Sequence, residues 1–534
     1  FESYIKTMQV ASGYVKYSIR FEAKPEIFSK GEKTCMACGS YKQAFPSDDP
    51  RWKKLEDENI VDEGERLCHL CLLKRTLKRF LHRVFGYENE IKWIIPSTSD
   101  MGAMWFKISF LAIFLAVLRT NKVNMISRIK KITMDFAKIL EGLAIKLGFG
   151  SELENCRLSY CPRIINELYY ELKHSNLIKK MAEEEGSNVD DYLDSIGIRT
   201  VICIPGELLN EESIIAILSR KKYAEKRREV EKDIENLRDA FSELERFARS
   251  LDVEIIDNAK RIILNAITAC LSGGKEYSTI YRDILQGVLH SLLDENMDLH
   301  QVIPLVIKPQ DGLRFCIIRA DGDSIGSWIN GEKCVPWILM HHPDLVPSIQ
   351  NLQNITQNIL KRPRPISPSY LSTLSMTLSY NALLVAKIID AFGGFLIYTG
   401  GDDVLAIIPP EVWHLVYMIL RFTFSSEIIL NKALGRYKEG IYHYGMSWRA
   451  SQSYGIVIAH HKADFRWVIE LSRELEEKSK DLLVGKEKAK DATTIALLGR
   501  GAKIRVVGPI PNILIKHEDT YKTLHEYDSY TLDR

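Results

Sequence analysis

The residues best able to do chemistry are aspartates in two short motifs. Phe395-Leu-Ile-Tyr-Thr-Gly-Gly-Asp-Asp-Val-Leu-Ala-Ile-Ile408 places Asp402 and Asp403 directly after Gly400 and Gly401, with apolar residues on both sides. Ala320-Asp-Gly-Asp-Ser-Ile-Gly326 places Asp321 and Asp323 at the end of an apolar run. Carboxylates held among buried apolar residues are costly unless a positive charge meets them. A divalent, oxygen-preferring cation, Mg²⁺ or Mn²⁺, is the natural partner. One acidic turn alone is only a polar turn; two of them brought together would hold a pair of ions. Such a pair activates an attacking 3′-hydroxyl and neutralises a triphosphate leaving group. A second set of residues is Cys35-Met-Ala-Cys38 and Cys68-His-Leu-Cys71. Four thiolates in two paired knuckles suit a structural, tetrahedral Zn²⁺ with no open position for chemistry. His69 is not expected as a ligand.

The elements that must position the aspartates follow from the same stretch. The spacing predicts a strand over 313–319 and strands over 395–399 and 404–408. Gly400 and Gly401 sit where a hairpin turn needs backbone freedom. Between the motifs, Ser367 is an N-cap, Pro368 takes the first helical position, and the apolar run 371–392 stops at Gly393 and Gly394. A right-handed crossover then makes the first two strands parallel, with Asp321 and the Gly-Gly-Asp-Asp turn on one edge. A helix over about 410–422 and a strand over 454–459 complete βαββαβ, a ferredoxin-like α+β fold.

This motif pair, with Ser453-Tyr-Gly-Ile-Val-Ile-Ala-His-His-Lys462 and the charged helix after it, resembles the large palm-polymerase subunit of type III CRISPR effector complexes, of the Cmr-type (III-B) or III-D branch. The resemblance is strong over about 306–500 and weaker upstream. It implies an ATP-consuming synthetase of cyclic oligoadenylate, switched on by target RNA and acting in antiviral defence. It implies guide RNA, target RNA and the backbone, small and guide 5′-end-binding subunits as partners. Asp321, Asp402, Asp403 and Asp323 are the expected catalytic residues, the first three as metal ligands. Gly322, Ser324, Gly326, Gly400 and Gly401 are expected beside the nucleotide. In palm cyclases a lysine on the helix corresponding to 465–480 can meet the triphosphate, which makes Lys478 and Lys480 candidates; exposed helix lysines are the plainer reading. His460 and His461 either line the nucleotide site or cap their strand.

The sequence departs from that family in places. None of the thirteen histidines is followed by Asp, so no nuclease site of the His-Asp phosphohydrolase kind is expected. Only the tail of a first palm fits before Cys35, and no helical domain of family size follows 510. The expected organisation is a zinc segment over 1–95, a helical domain over 96–305, the palm over 306–510 and a tail over 511–534. The chain therefore reads as a fragment, a reduced natural form, or a rearranged one. Two other functions stay open. One is a palm cyclase making cyclic dinucleotides, although Asp403-Val404 stands where the diguanylate type has Glu-Phe. The other is a silent architectural subunit that grips RNA and neighbouring proteins.

The rest of the chain sets bounds. A net charge of +2 over 534 residues gives no global basic field, so RNA contacts must be local. Hydrophobic content of 46% and charged content of 27% are those of a soluble globular protein. The apolar run 108–118 is too short to span a bilayer and predicts a buried helix, and no signal peptide is visible. Ten cysteines, most of them scattered, fit a reducing cytosol better than a disulfide framework. Helices are expected over 129–147, 277–293 and 221–249. The last carries Leu237, Phe241, Leu244 and Phe247 at helical spacing under a highly charged face. Residues 14–21 predict a strand, and 361–365 a basic Pro-rich loop that either touches phosphates or simply connects.

Overall fold

The computed structural model describes residues 96–120, 122–150, 161–219, 226–272, 298–309, 312–333, 366–425, 450–484, 490–499 and 504–512, with shorter pieces mostly between 35 and 72. Cys38, Cys71, the strand expected over 14–21, the helix over 277–293 and the loop 361–365 lie outside the described residues. The chain forms two compact units, Phe1–Trp93 and Ile94–Arg534. In the first, a helix spans Pro50–Asp57, and Cys35 and Cys68 are buried with Trp52, Val61, Leu67 and Leu72.

The second unit begins with α1 (Thr98–Arg119). Ser97 and Asp100 form a reciprocal capping box that satisfies two otherwise orphaned N–H groups at its start. The helix is long and apolar enough to cross a membrane, yet it is buried inside the protein. This matches the expected buried helix, extended upstream from 108. Around it pack α2 (Val123–Leu147), α3 (Arg163–Lys173), α4 (Arg227–Arg249) and α5 (Val253–Ser272). Gly148 closes α2 in the left-handed conformation, as a C-terminal glycine should. On α4, Leu237, Phe241, Leu244 and Phe247 all face inward. Cys161, Cys270 and Cys316 are thiols, whereas Cys203 is disulfide-bonded. That bond departs from the expected set of reduced cysteines, because a bridge needs proximity in space and leaves no spacing signal in the chain.

The sheet follows: β1 (Arg314–Gly322), α6 (Pro368–Ala391), β2 (Phe395–Thr399), β3 (Val404–Ile408), α7 (Trp413–Ser425), β4 (Gln452–His460), α8 (Phe465–Lys480), β5 (Ala492–Leu498) and β6 (Ile504–Pro511). Its six strands run in the order β2-β3-β1-β4-β5-β6. β3 pairs antiparallel with both β1 and β2, so β1 and β2 are parallel and end on the same edge. β1 to β4 form the βαββαβ unit in ferredoxin-like order. Ser367 caps α6 by accepting the Tyr370 N–H, and Pro368 takes the first turn.

Alternation along the strands divides the core in two. Cys316, Ile318, Ala320, Val404, Ala406 and Ile456 face the helices α1, α5, α6 and α7. Phe315, Ile317, Ile407 and Val457 face Val468, Leu471 and Leu475 of α8. β1 is two or three residues longer than its apolar run, which puts Asp321 and Gly322 inside the ladder opposite Ser453 and Gln452. β5 and β6 are strands that the sequence did not announce. β6 is an edge strand, where Pro509 and Pro511 cost the ladder little.

Candidate active site

Alternation also decides where Asp321 points. It shares the α8 face with Phe315 and Ile317, whereas Ala320 and Gly322 lie on the other. Asp402 and Asp403 arrive from the turn between β2 and β3. One oxygen from each of Asp321, Asp402 and Asp403 lies within 4.8 Å of the others. All three residues are half-buried.

The turn is held from several sides. Gly401 has a φ of +98°, a conformation that suits glycine. The Gly400 N–H donates to the Asp403 carbonyl at 3.0 Å, Asn381 Nδ2 donates to the Gly401 carbonyl at 2.7 Å, and Gln452 Nε2 donates to the Asp402 carbonyl at 2.8 Å. Gly322 is needed for a different reason: a Cβ there would stand 2.7 Å from the Cβ of Asp402. The strand and the turn can meet only because position 322 has no side chain.

On the α8 side, Lys480 Nζ donates to Asp321 Oδ2 and lies 2.5 Å from Glu476 Oε1. Arg319 Nε lies 3.5 Å from Glu476 Oε2. Glu476 reaches this place because a Cβ at Gly455 would stand 2.6 Å from the Glu476 N, so glycine in β4 lets α8 pack closely. Burial raises the Glu476 carboxyl above its ordinary value. Burial also pushes Asp321 up, but hydrogen bonds with Asp403 and Lys480 outweigh it and hold Asp321 below the usual carboxylate range. Asp403 is pushed up to about 7 by burial, by its hydrogen bond to Asp321, and by the charges of Asp321, Asp402 and Glu476. Burial and the Asp321 charge raise Asp402 as well. Burial works against the Lys480 ammonium, but its two carboxylate partners prevail and raise its pKa.

These residues fit a divalent metal. The donors are hard carboxylate oxygens of the kind Mg²⁺ and Mn²⁺ prefer. Their mutual repulsion is relieved in part by the Lys480 ammonium at Asp321, which a metal ion could replace.

Asp323 has another fate. It is 1% exposed and accepts from Ser451 Oγ at 2.7 Å, Ser453 Oγ at 2.8 Å and the Asp491 N–H at 2.9 Å. Those partners tie it to the loop before β5 and away from the other three. Arg421 of α7 forks onto Asp491 at 2.7 and 2.5 Å, and Asn512 links Asp491 to the Gln452 carbonyl. This buried polar layer lies under the turn. Ser324 stands at φ 58° and accepts from Lys490 Nζ at 2.9 Å. Gly326 faces open space. Lys478 is exposed on α8.

His460 and His461 lie at the opposite end of the sheet. His460 pairs with Arg314, the first residue of β1, and His461 is within hydrogen-bonding reach of Ser213 and the Leu313 carbonyl. They end the strand and do not line the carboxylate site. Cys35 and Cys68 share the small core of the first unit.

Sequence reasoning missed Glu476, Arg319, Gln452, Asp491, Arg421 and Lys490. Two of them left a signal: Arg319 shares a strand face with Asp321, and Glu476 precedes Lys480 by one helical turn.

Residues 314–494 match the family model described as Cas10/Cmr2, second palm domain. Over this stretch the chain is similar to a Cas10/Cmr2 second palm domain. The matched residues run from the start of β1 into β5 and contain the carboxylate cluster, Lys480 and Glu476. Two solved structures are similar to the chain as a whole. One is the Type III-B Cmr-beta bound to cognate target RNA, at 15% identity and a TM-score of 0.44, covering 94% of this chain and 50% of that one. The other is the Type III-B Cmr-beta in the apo state, at 17% identity and a TM-score of 0.35, covering 94% and 49%. The chain thus spans about half the length of these solved chains. No curated protein gives a significant match.

Proposed function

We propose that this chain is the palm-bearing part of the large subunit of a type III CRISPR effector complex, and that its palm is a metal-dependent nucleotidyltransferase making cyclic oligoadenylate from ATP. The observation that carries this reading is the convergence of Asp321, Asp402 and Asp403 within a Cas10/Cmr2 palm. Guide RNA, target RNA and the other effector subunits are the partners in this reading; one similar structure is of a complex bound to cognate target RNA. The chain acts in the cytoplasm.

In the reaction, the 3′-hydroxyl of one nucleotide attacks the α-phosphorus of the next, and pyrophosphate leaves. Asp321, Asp402 and Asp403 would hold divalent cations, which would supply Lewis acidity for this displacement. Asp321, Asp402 and Asp403 hold that charge in place. Glu476 and Arg319 orient Lys480 and, through it, Asp321. Gln452 and Asn381 fix the main chain of the turn, so the carboxylates need little reorganisation. In the first unit, Cys35, Cys38, Cys68 and Cys71 would hold a structural Zn²⁺, with Cys35 and Cys68 contributing from its core.

The test is product analysis. The chain, alone and in its complex with cognate target RNA, is incubated with ATP and Mg²⁺ or Mn²⁺, and products are read by mass spectrometry. Oligoadenylates that vanish with Asp402→Ala together with Asp403→Ala support the reading. Cyclic dinucleotides would redirect it to the cyclase alternative. No nucleotide product from the target-bound complex would leave a scaffold.

A further inference from the structure

Ser453, Tyr454 and Gly455 stand together on β4, and two of them have clear tasks. Ser453 holds Asp323, and Gly455 admits α8. Tyr454 is 0% exposed and lies in the larger core, on the strand face that meets the helices α6 and α7. A phenylalanine would fill that volume with no polar group. A buried hydroxyl is costly unless it is hydrogen-bonded, so this one needs a use.

Its use is Gln452. The Tyr454 hydroxyl donates to Gln452 Oε1 at 2.7 Å, two residues back on the same face of the strand. Gln452 is itself 1% exposed, and its Nε2 donates to the Asp402 carbonyl at 2.8 Å. The amide is therefore a bridge whose two ends differ. A carbonyl only accepts, so the end facing Asp402 must be the NH₂ group. The other end is then an oxygen closed off in the core, and Tyr454 is its donor among the described residues. A proton given to the amide oxygen also strengthens the amide N–H as a donor.

Both partners are braced. The Tyr454 ring meets Tyr417 of α7 edge-on, with centroids 5.0 Å apart and planes at 86°. The Gln452 carbonyl accepts from Asn512 Nδ2 at 3.0 Å, and Gln452 lies opposite Gly322 in the ladder between β1 and β4. A directed line thus runs from the Tyr454 hydroxyl through the Gln452 amide to the main chain of Asp402, whose side chain belongs to the carboxylate cluster.

We infer that Tyr454 is a positioning residue for the carboxylate cluster: its hydroxyl fixes the Gln452 amide, and through it the main chain that aims Asp402 and Asp403. This rests on the reading of that cluster as a metal site. Tyr454 acts only through Gln452. Without the hydroxyl, Gln452 Oε1 is a buried acceptor with no donor, and the amide turns away from Asp402 to find one.

The experiment is a Mn²⁺ titration of the full chain by electron paramagnetic resonance, without nucleotide. Wild type, Tyr454→Phe, Gln452→Met and the double variant are compared, and circular dichroism follows the fold of each. The relay predicts Mn²⁺ binding about 10-fold weaker in Tyr454→Phe, as for an outer hydrogen-bond partner lost at a metal site. Gln452→Met should weaken it at least as much. The double variant should be no weaker than Gln452→Met alone, because the hydroxyl then has nothing to orient. Unchanged Mn²⁺ affinity in either single variant overturns the inference and leaves the metal reading standing. Additive losses in the double variant overturn it as well, since the tyrosine then acts by another route. A Tyr454→Phe chain that loses its fold overturns it too, because the hydroxyl then serves the core rather than the turn. A wild type that binds no Mn²⁺ overturns the metal reading together with the relay.

Discussion

Lys480, in the last turn of α8, is ion-paired to Asp321 on the central strand β1. The same ammonium lies 2.5 Å from Glu476, one turn earlier on the helix. A cation built into the chain therefore sits at a carboxylate that also belongs to a metal-competent cluster.

The Lys480 ammonium and a divalent ion compete for Asp321. Lys480→Met should therefore tighten Mn²⁺ binding in the absence of nucleotide, by about 3- to 10-fold for a charge lost at short range near the surface. The same change should lower thermal stability, because Asp321 and Glu476 lose their counter-charge. Calorimetric Mn²⁺ titration checks this; unchanged or weaker binding would show that the lysine does not occupy the metal's place.

The pH dependence has a definite sign. Asp403 titrates at about 7 in the folded chain against 3.8 ordinarily, so between those values the folded state holds a proton that the unfolded state has lost. Metal-free stability should fall as pH rises from about 4 to 7, and level off above. Metal binding must displace that proton, so Mg²⁺ or Mn²⁺ affinity should rise from pH 6 to pH 8. Titrations in buffers of different ionisation enthalpy would count the proton released, and a pH-independent affinity would contradict the assignment.

Much of this arrangement was legible in the chain. The cap Ser367-Pro368, the stop at Gly393 and the spans of β2 and β3 follow from local rules of backbone geometry, and crossover handedness then brings two acidic turns to one edge. What escaped was tertiary. Glu476 looks like one of many helix carboxylates until Gly455 brings α8 against β4. Asp323 looks equivalent to Asp321 until the chain leaves β1 after Gly322 and two serine hydroxyls hold the Asp323 carboxylate. β6 was hidden because prolines mark an edge strand and a chain tail in the same way.

Gly322 tests the close contact of strand and turn. Gly322→Ala places a methyl group 2.7 Å from the Asp402 Cβ, so the turn must shift. The expected cost is about 1–3 kcal/mol of stability, as for other overpacked sites. Mn²⁺ affinity should fall at least about 10-fold, since misplaced ligand support costs that much at metal sites. Denaturant unfolding and metal titration read the two effects separately.

Arg421 tests the polar layer beneath the turn. Its side chain and that of Asp491 are only 9% and 10% exposed, and Arg421→Met leaves Asp491 buried without its counter-charge. A loss of about 3–5 kcal/mol is expected for breaking such a pair. Arg421→Met with Asp491→Asn should recover part of that loss, which a double-mutant cycle would measure.

The most direct test of the central claim is an electron paramagnetic resonance titration of the full chain with Mn²⁺ in the presence of ATP. The account predicts protein-bound Mn²⁺ that is lost when Asp321, Asp402 and Asp403 are changed together to Asn, with the fold retained by circular dichroism. Equal Mn²⁺ binding by wild type and the triple variant would contradict it and leave the three carboxylates without a metal to hold.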